Sequence, residues 1–396
     1  MSFNDDLENL SKSGEYSPET KREQARPPKG WEATVDYDER TGGFLTSVPR
    51  KATDTDPSEE ELFSEFNLDS SRWTITSLRR SKWQAFNGEW LEAFRATFAP
   101  KGIVKDDKDI DEMLKRISKI KPPKKERSSG TDVFVVAIGD TQIGKPDGYG
   151  TEGTVEAIRT KTLKAVELFK KYEKEGMSFG EVYLPWLGDC IEGFNSQGSR
   201  LVWRNELTLT QMVRVYRRLV EWQIMQFAPL AQKIVVPVVP GNHDEAVRTG
   251  DIMSTTYDDS WAIEGASAVQ DGLKHNPTAF GHVQFIFPRP DELTITCDMG
   301  GVITTFAHGH QFGRDIRKWW AEQAHGMLPS GQSTLLLSAH RHHFEIQHTG
   351  GGKTFMVVPA MDGGSNWFRN KHGDDSPSGM LNFTVLDGAW HNLNIL

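Results

Sequence analysis

The residues of this chain best suited to chemistry are carboxylates, amides and imidazoles that follow apolar runs. Asp140-x-Gln142 follows the run 133–138, Gly188-Asp189-x-x-Glu192 follows 182–187, and Gly241-Asn242-His243-Asp244 follows 234–239. Further along, His308-x-His310 follows 302–307 and His340-x-His342 follows 334–338. Apolar, β-branched runs of this length read as buried strands, and open α/β sheets place their chemistry beyond the carboxyl ends of such strands. A single Asp or His in a turn needs no functional explanation; five strand ends with the same chemical vocabulary do. Burying several carboxylates and imidazoles together is costly without a cation, and divalent metal removes the cost. Oxygen and imidazole donors without thiolate suit Mn²⁺ best, with Fe²⁺, Zn²⁺ or Mg²⁺ as alternatives. Two such ions about 3.5–4 Å apart clamp an in-line displacement at phosphorus. A water held between them loses a proton near neutral pH and becomes the attacking hydroxide, so no Ser or Cys nucleophile is required.

The elements that position these groups fall into two parts. Residues 1–30 are polar and carry Pro18, Pro27 and Pro28, a composition expected to be mostly disordered. A small, mostly-β N-terminal module is expected over 31–120. It holds a hairpin turning at Thr41-Gly42-Gly43 and a helix over 59–66 capped by Asp56 or Ser58. Strands over 73–78, 82–86 and 89–98 follow, with Asn87-Gly88 as a turn, then a charged helix over 106–120. The stretch 121–131, with Pro122, Pro123 and Gly130, reads as an inter-domain linker. From 132 to 396 strands and helices alternate, with helices expected over 154–174, 206–228, 257–273 and 314–325 and a strand-rich final third. That order predicts two packed sheets flanked by helices.

The ordered set of strand-end motifs resembles the calcineurin-like metallophosphoesterase superfamily, whose signature is Asp-x-His, Gly-Asp-x-x-Asp/Glu, Gly-Asn-His-Asp/Glu, a strand ending in His, and Gly-His-x-His. The resemblance covers about 131–396. It implies an α/β fold with a calcineurin-like two-sheet β-sandwich flanked by helices, a four-layer αββα arrangement. It also implies a metal-dependent phosphoesterase with two divalent ions, in which Asp140, Gln142, Asp189 and His342 serve one ion and Asp189, Asn242, His308 and His340 the other. By the same resemblance His243 protonates the leaving oxygen and Glu192 orients it. Two positions depart from the pattern: Gln142 stands where the family has His, which implies a looser first metal site, and Ala339 replaces Gly. Glu192-Gly193-Phe194 differs from the Asp-Arg-Gly of protein Ser/Thr phosphatases. The chain is further similar to phosphoesterases of actinobacterial viruses, grouped with the nuclease subunit of double-strand-break repair complexes. No ATPase partner is expected, because the chain stops directly after its last strand.

Substrate assignment rests on other residues. Arg79, Arg80 and Lys82 lie among Trp73, Trp83, Phe86 and Trp90, with Lys115, Arg116, Lys119, Lys121, Lys124 and Lys125 following. Basic groups interleaved with aromatics suit phosphate contact and base stacking. Arg200, Arg204, His310 and Arg369 are candidate substrate contacts within the second part. These features favour DNA as substrate. The alternatives are a small nucleotide or phosphorylated metabolite, or a DNA-binding protein whose phosphoesterase-like part is a scaffold. A net charge of −9 argues against a polyanion binder over the whole surface, though not against a local basic patch. Two widely spaced cysteines, Cys190 and Cys297, and the lack of a basic, apolar leader predict a cytoplasmic protein without membrane partners.

Overall fold

The computed structural model describes residues 33–38, 42–53, 55, 57–100, 109–123, 126–195, 205–249, 252, 253, 255–313, 315–364, 373 and 377–396. Two compact units divide between Val104 and Lys105. Expectations that fall outside the described residues include disorder over 1–30, the turn at Thr41, Asp56 as a helix cap, the helix residues 106–108 and Arg314, the basic residues Lys124 and Lys125, and the substrate contacts Arg200, Arg204 and Arg369.

The first unit holds β1 (Thr34–Asp38), β2 (Gly42–Thr46), β3 (Arg50–Lys51), α1 (Glu59–Ser64), β4 (Trp73–Gln84) and β5 (Trp90–Pro100). The Ser58 hydroxyl accepts from the Glu61 amide and the Glu61 carboxylate accepts from the Ser58 amide, so a reciprocal capping box starts α1. β4 is one strand of twelve residues where two were expected. The charged stretch between them alternates in and out of the sheet and never breaks it. β4 and β5 pair in antiparallel register from Trp73↔Pro100 to Gln84↔Trp90. Leu45, Phe63, Leu68, Trp73, Ala96 and Phe98 form the small core. Arg80 does not reach outward: it donates to the buried Glu92 carboxylate through Nε (3.0 Å) and Nη2 (2.5 Å). Burial alone would raise the Glu92 carboxyl, but Arg80 and Thr53 hold it below its ordinary value. Trp73 is likewise a core residue, 3% exposed, and is removed from the candidate stacking set.

The second unit begins with α2 (Asp109–Lys119), the charged helix that the sequence placed in the N-terminal module. The boundary expected near 130 is therefore corrected. Met113 and Ile117 of α2 enter the second unit's core, Arg116 ion-pairs with Glu221 at 2.7 Å, and the Asn276 amide donates to the carbonyls of Ile117 and Ile120. The expected linker is also partly built in. Arg127 donates to the carbonyls of Ala228 and Ala279, and the Ser128 amide donates to Leu230.

Then come β6 (Asp132–Ala137), α3 (Gly150–Lys174), β7 (Phe179–Tyr183), α4 (Leu209–Phe227), β8 (Lys233–Pro237), the short strands β9 (Arg248–Thr249) and β10 (Ile252–Met253), α5 (Trp261–Lys274), α6 (Pro277–Phe280) and β11 (Val283–Ile286). β12 (Thr294–Met299), β13 (Val302–Ala307), α7 (Ile316–His325), α8 (Pro329–Gln332), β14 (Leu335–Ser338), β15 (Glu345–Gly350), β16 (Lys353–Val357), β17 (Leu381–Leu386) and β18 (Ala389–Ile395) complete it. One sheet runs β11-β8-β7-β6-β17-β18, with β11, β8, β7 and β6 mutually parallel. The other runs β12-β13-β14-β16-β15, with β13, β14 and β16 parallel.

Strand periodicity distributes the apolar residues. Val133, Val135 and Ala137 of β6 share a core with Phe306, Leu335, Leu337 and Met356 of the other sheet. Their neighbours Phe134 and Val136 face the opposite way, among Phe169 of α3, Ile224 of α4 and Val269 of α5. On the second sheet, Leu336 and Phe355 pack with Ile316 and Trp320 of α7. Successive side chains of a strand point to opposite faces, so strands covered on both sides read as unbroken apolar runs.

Candidate metal centre

Parallel strands deliver their carboxyl ends to the same edge of a sheet. β6, β7 and β8 are followed there by Asp140, Asp189 and Asn242-His243, and β13 and β14 by His308 and His340-x-His342. The two sheets meet at this edge through a bridge between Gly139 and Ala360, and the Met361 amide donates to the Asp140 carbonyl. A Cβ on Gly139 would lie 2.5 Å from that of Ala339, so glycine is what lets the strand ends close. Gly241 has the same role toward Asp189, whose amide nitrogen and Oδ1 would each lie 2.1 Å from an added Cβ.

Among the described residues nine non-glycine residues have positive φ, and five of them are Asp140 (48°), Gln142 (38°), Asp189 (49°), His340 (68°) and His342 (60°). Such backbone costs about 1–3 kcal/mol per residue and persists only where the surroundings enforce it. Five of these nine positions lie at this edge.

The side chains converge. Ligand atoms of Asp189, His308 and His340 all lie within 4.8 Å of one another, a group able to hold a metal ion. His308 Nε2 is 3.1 Å from Asp189 Oδ2 and 3.2 Å from His340 Nδ1. His308 Nδ1 donates to the Leu187 carbonyl at 2.7 Å, which fixes the ring and turns Nε2 inward. His342 Nε2 lies 3.5 Å from Asp140 Oδ1, and the other Asp140 oxygen accepts from the His340 amide at 2.8 Å. Among the described residues, Asp140 Oδ1 and Asn242 Oδ1 are buried and have no hydrogen-bond partner. An orphaned carboxylate oxygen beside an imidazole nitrogen, as Asp140 Oδ1 is beside His342 Nε2, is a donor pair that a borderline-to-hard cation can complete.

Without a cation the charges crowd. Burial raises the Asp140 carboxyl, with the nearby Asp189 charge adding to it. Burial also works on Asp189, but the imidazoles of His308 and His243 outweigh it and hold that carboxyl well below its usual range. His308 is pushed up to about 9, its burial overcome by Asp189, whereas burial and the neighbouring His308 pull His340 down to about 3.

His243 stands beside this cluster. Its Nδ1 is 3.1 Å from the Glu192 carbonyl and 3.4 Å from Glu192 Oε2, and its Nε2 is 3.9 Å from Asp189 Oδ2. Burial would favour neutral imidazole, but Asp189 and Glu192 push its pKa up to about 10. The Asp189 loop is clipped to the Asn242 loop by Asp244, a buried carboxylate accepting from the amides of Cys190, Ile191 and Gly241. Burial and Asp189 raise Asp244 to about 7.

The structure thus gathers Asp140, Asp189, His308, His340 and His342, with His243 and Glu192 alongside and Asn242 next to His243 on the same loop. His310 is adjacent, its ring centroid 5.5 Å from that of His308. Gln142 is on the same loop, but its Oε1 accepts from Lys145 Nζ at 2.9 Å. Two participants were missed in the sequence. Asp362 follows β16, a sixth strand ending at this edge; its side chain is 1% exposed and its Oδ2 lies 3.8 Å from His342 Nδ1. Lys145 ion-pairs with Asp362. The apolar run Phe355-Met356-Val357-Val358, followed four residues later by the Asp362 carboxylate, was the available signal.

A cavity of about 530 Å³ lies elsewhere in the second unit, and none of the candidate metal ligands lines it. Phe287, which follows β11, and Arg289 line it, together with Thr294, which pairs with Ala307 ahead of His308. Gln311 and Trp319 also line it.

No protein-family profile matches the chain, and no curated protein matches it. Among solved structures, the crystal structure of Chaetomium thermophilum Vps29 is similar at 12% identity over 64% of this chain and 85% of that one, with a TM-score of 0.29. A likeness that distant leaves the functional reading to the site itself. Among the described residues, no helix is long and apolar enough to cross a membrane.

Proposed function

We propose that the second unit is a metal-dependent phosphoesterase of the calcineurin-like type, a four-layer αββα sandwich whose substrate is a phosphodiester of DNA. One observation carries the reading: strand ends from two sheets bring Asp140, Asp189, Asn242, His308, His340 and His342 to one edge, with buried oxygens of Asp140 and Asn242 left unbonded. Asp140, Asp189 and His342, with Gln142, would hold one ion, and Asp189, Asn242, His308 and His340 the other. Mn²⁺ suits this oxygen and imidazole set. Bound divalent ions would supply Lewis acidity toward a phosphoryl oxygen and acidify water.

The chain's own residues supply the rest. Asp189 sits between the two halves and also accepts from the His243 amide at 2.8 Å, tying the acid's loop to the cluster. Glu192 holds Nδ1 of His243, so the proton on Nε2 faces the reacting side, ready for the leaving oxygen. Hydrolysis of bis-p-nitrophenyl phosphate by the full chain with added Mn²⁺, suppressed by chelator, is the expected result. No turnover with Mn²⁺, Fe²⁺, Zn²⁺ or Mg²⁺ would leave the scaffold reading in its place.

DNA is favoured by the outer face of the first unit's sheet. Arg79 and Arg95 are exposed and directly opposite in the β4–β5 register. Like charges facing each other across strands are destabilising, and a phosphate between them reverses the sign. The Arg95 guanidinium lies 5.7 Å from the Phe44 ring centroid, and Phe86 and Trp90 are exposed toward the hairpin turn. The double variant Arg79→Ala/Arg95→Ala is expected to weaken single-stranded DNA binding. It should reduce the slope of log K against log salt by about 1.4, two phosphate contacts at about 0.7 each. An unchanged slope removes this face from DNA contact. The second reading, a small nucleotide as substrate, draws on the cavity lined by Arg289 and Gln311, a volume within the usual range for small-ligand sites. It requires nucleotide turnover that the double variant leaves intact and no turnover of DNA.

A further inference from the structure

We propose that Lys145 is a resident cation at the Asp140–Gln142–His342 half of the centre, so that this half takes a divalent ion far more weakly than the half formed by Asp189, Asn242, His308 and His340. The inference rests on the metal-centre reading above and deepens it.

The geometry is specific. Lys145 Nζ donates to Gln142 Oε1 at 2.9 Å, ion-pairs with Asp362 and lies 3.4 Å from the Gly364 carbonyl. Its side chain is 13% exposed and that of Asp362 is 1% exposed, so the pair is enclosed. Asp362 Oδ2 also lies 3.8 Å from Nδ1 of His342, whose Nε2 faces Asp140 Oδ1 at 3.5 Å. One group that a second ion would use, and a carboxylate beside another, are therefore already engaged. The amide oxygen accepts from an ammonium, and the carboxylate beside His342 is neutralised by the same ammonium.

A neutral amide is in any case a poorer donor than imidazole for borderline cations. An ammonium held within hydrogen-bond distance of the ligand oxygen adds repulsion toward a divalent ion in the low-dielectric interior. The other half differs in kind: His308 Nε2 is aimed inward by the Leu187 carbonyl, and Asn242 Oδ1 is buried and unbonded. The centre is thus asymmetric by construction. The second ion enters by displacing Lys145 from Gln142, which makes loading responsive to Mn²⁺ concentration.

Calorimetric titration of the metal-free full chain with Mn²⁺ tests this. The parent chain is expected to show two binding events differing by at least about a hundredfold in Kd, the scale of effects that groups around a metal site exert. Lys145→Met keeps the aliphatic stem and removes the charge. It should tighten the weaker event about tenfold and leave the tighter one within about twofold. A weaker event that is unchanged or loosened in this variant overturns the proposal, because Lys145 would then be an orienting group.

Lys145→Met leaves Asp362 buried without its partner, so Gln142→His, which keeps the ion pair, serves as the second variant. It should tighten the weaker event while the two remain unequal; equal events would show that Gln142 alone sets the asymmetry. Two equally tight events in the parent chain sink only this inference. No Mn²⁺ binding by any of the three proteins sinks the metal-centre reading itself.

Discussion

Replacing Asp189 by Asn is expected to abolish tight Mn²⁺ binding and to slow bis-p-nitrophenyl phosphate hydrolysis by about 10³-fold, as losing several kcal/mol of Lewis-acid stabilisation implies. The variant is isosteric, and its amide oxygen can still accept from the His243 amide as Asp189 Oδ1 does. What it loses is the charge facing His308 Nε2 at 3.1 Å and standing among the atoms of the candidate ion site. Asp189 has the lowered carboxyl of the cluster, held down against its burial by His308 and His243, so it is the anion around which the imidazoles are arranged. Calorimetry and initial rates, with a thermal melt to confirm folding, check the outcome. Tight Mn²⁺ binding that survives the substitution would take Asp189 out of the ligand set.

The second large effect belongs to His243. A general acid contributes typically about 10²–10⁴-fold, and its value depends on how poor the leaving group is. His243→Ala is accordingly expected to lose about 10²–10⁴-fold in kcat on DNA, whose leaving oxygen is an alkoxide, and much less on the activated nitrophenyl ester. Its Mn²⁺ titration should match the parent chain. Equal losses on the two substrates would assign His243 to binding instead of proton transfer.

The pH dependence has a definite sign. With its pKa raised from 6.5 to about 10 in the metal-free protein, His243 contributes stability that is full below about 6.5 and lost as pH rises through about 10. The acid function should fade with alkalinity in the same direction, since it resides in the protonated ring.

Much of this site was legible because buried parallel strands announce themselves. Runs such as 133–138 and 234–239 are apolar on every residue that faces either neighbour layer, and each ends at a change to Asp, Asn or His. Asp362 escaped because it follows Pro359-Ala360-Met361, which reads as a turn and carries no imidazole. Lys145 escaped because a lysine three residues beyond a loop ligand looks solvated, and its acceptor Asp362 is 217 residues away. The misplaced α2 has the same origin: only Met113 and Ile117 bury, and the Arg116 partner Glu221 is remote in sequence. Of the basic and aromatic residues in the first unit, Trp73 and Arg80 are structural, while Arg79, Arg95, Phe86 and Trp90 remain exposed. Along β4, Arg79 and Arg80 point to opposite faces, and the expected break in that strand hid this difference.

The left-handed backbone at Asp140, Gln142, Asp189, His340 and His342 has one more consequence. These φ angles are held by hydrogen bonds and packing within the chain, so the donor atoms are preorganised before any guest arrives. Exchanging one divalent species for another would then change polarising power and ligand-exchange rate without reshaping the cradle.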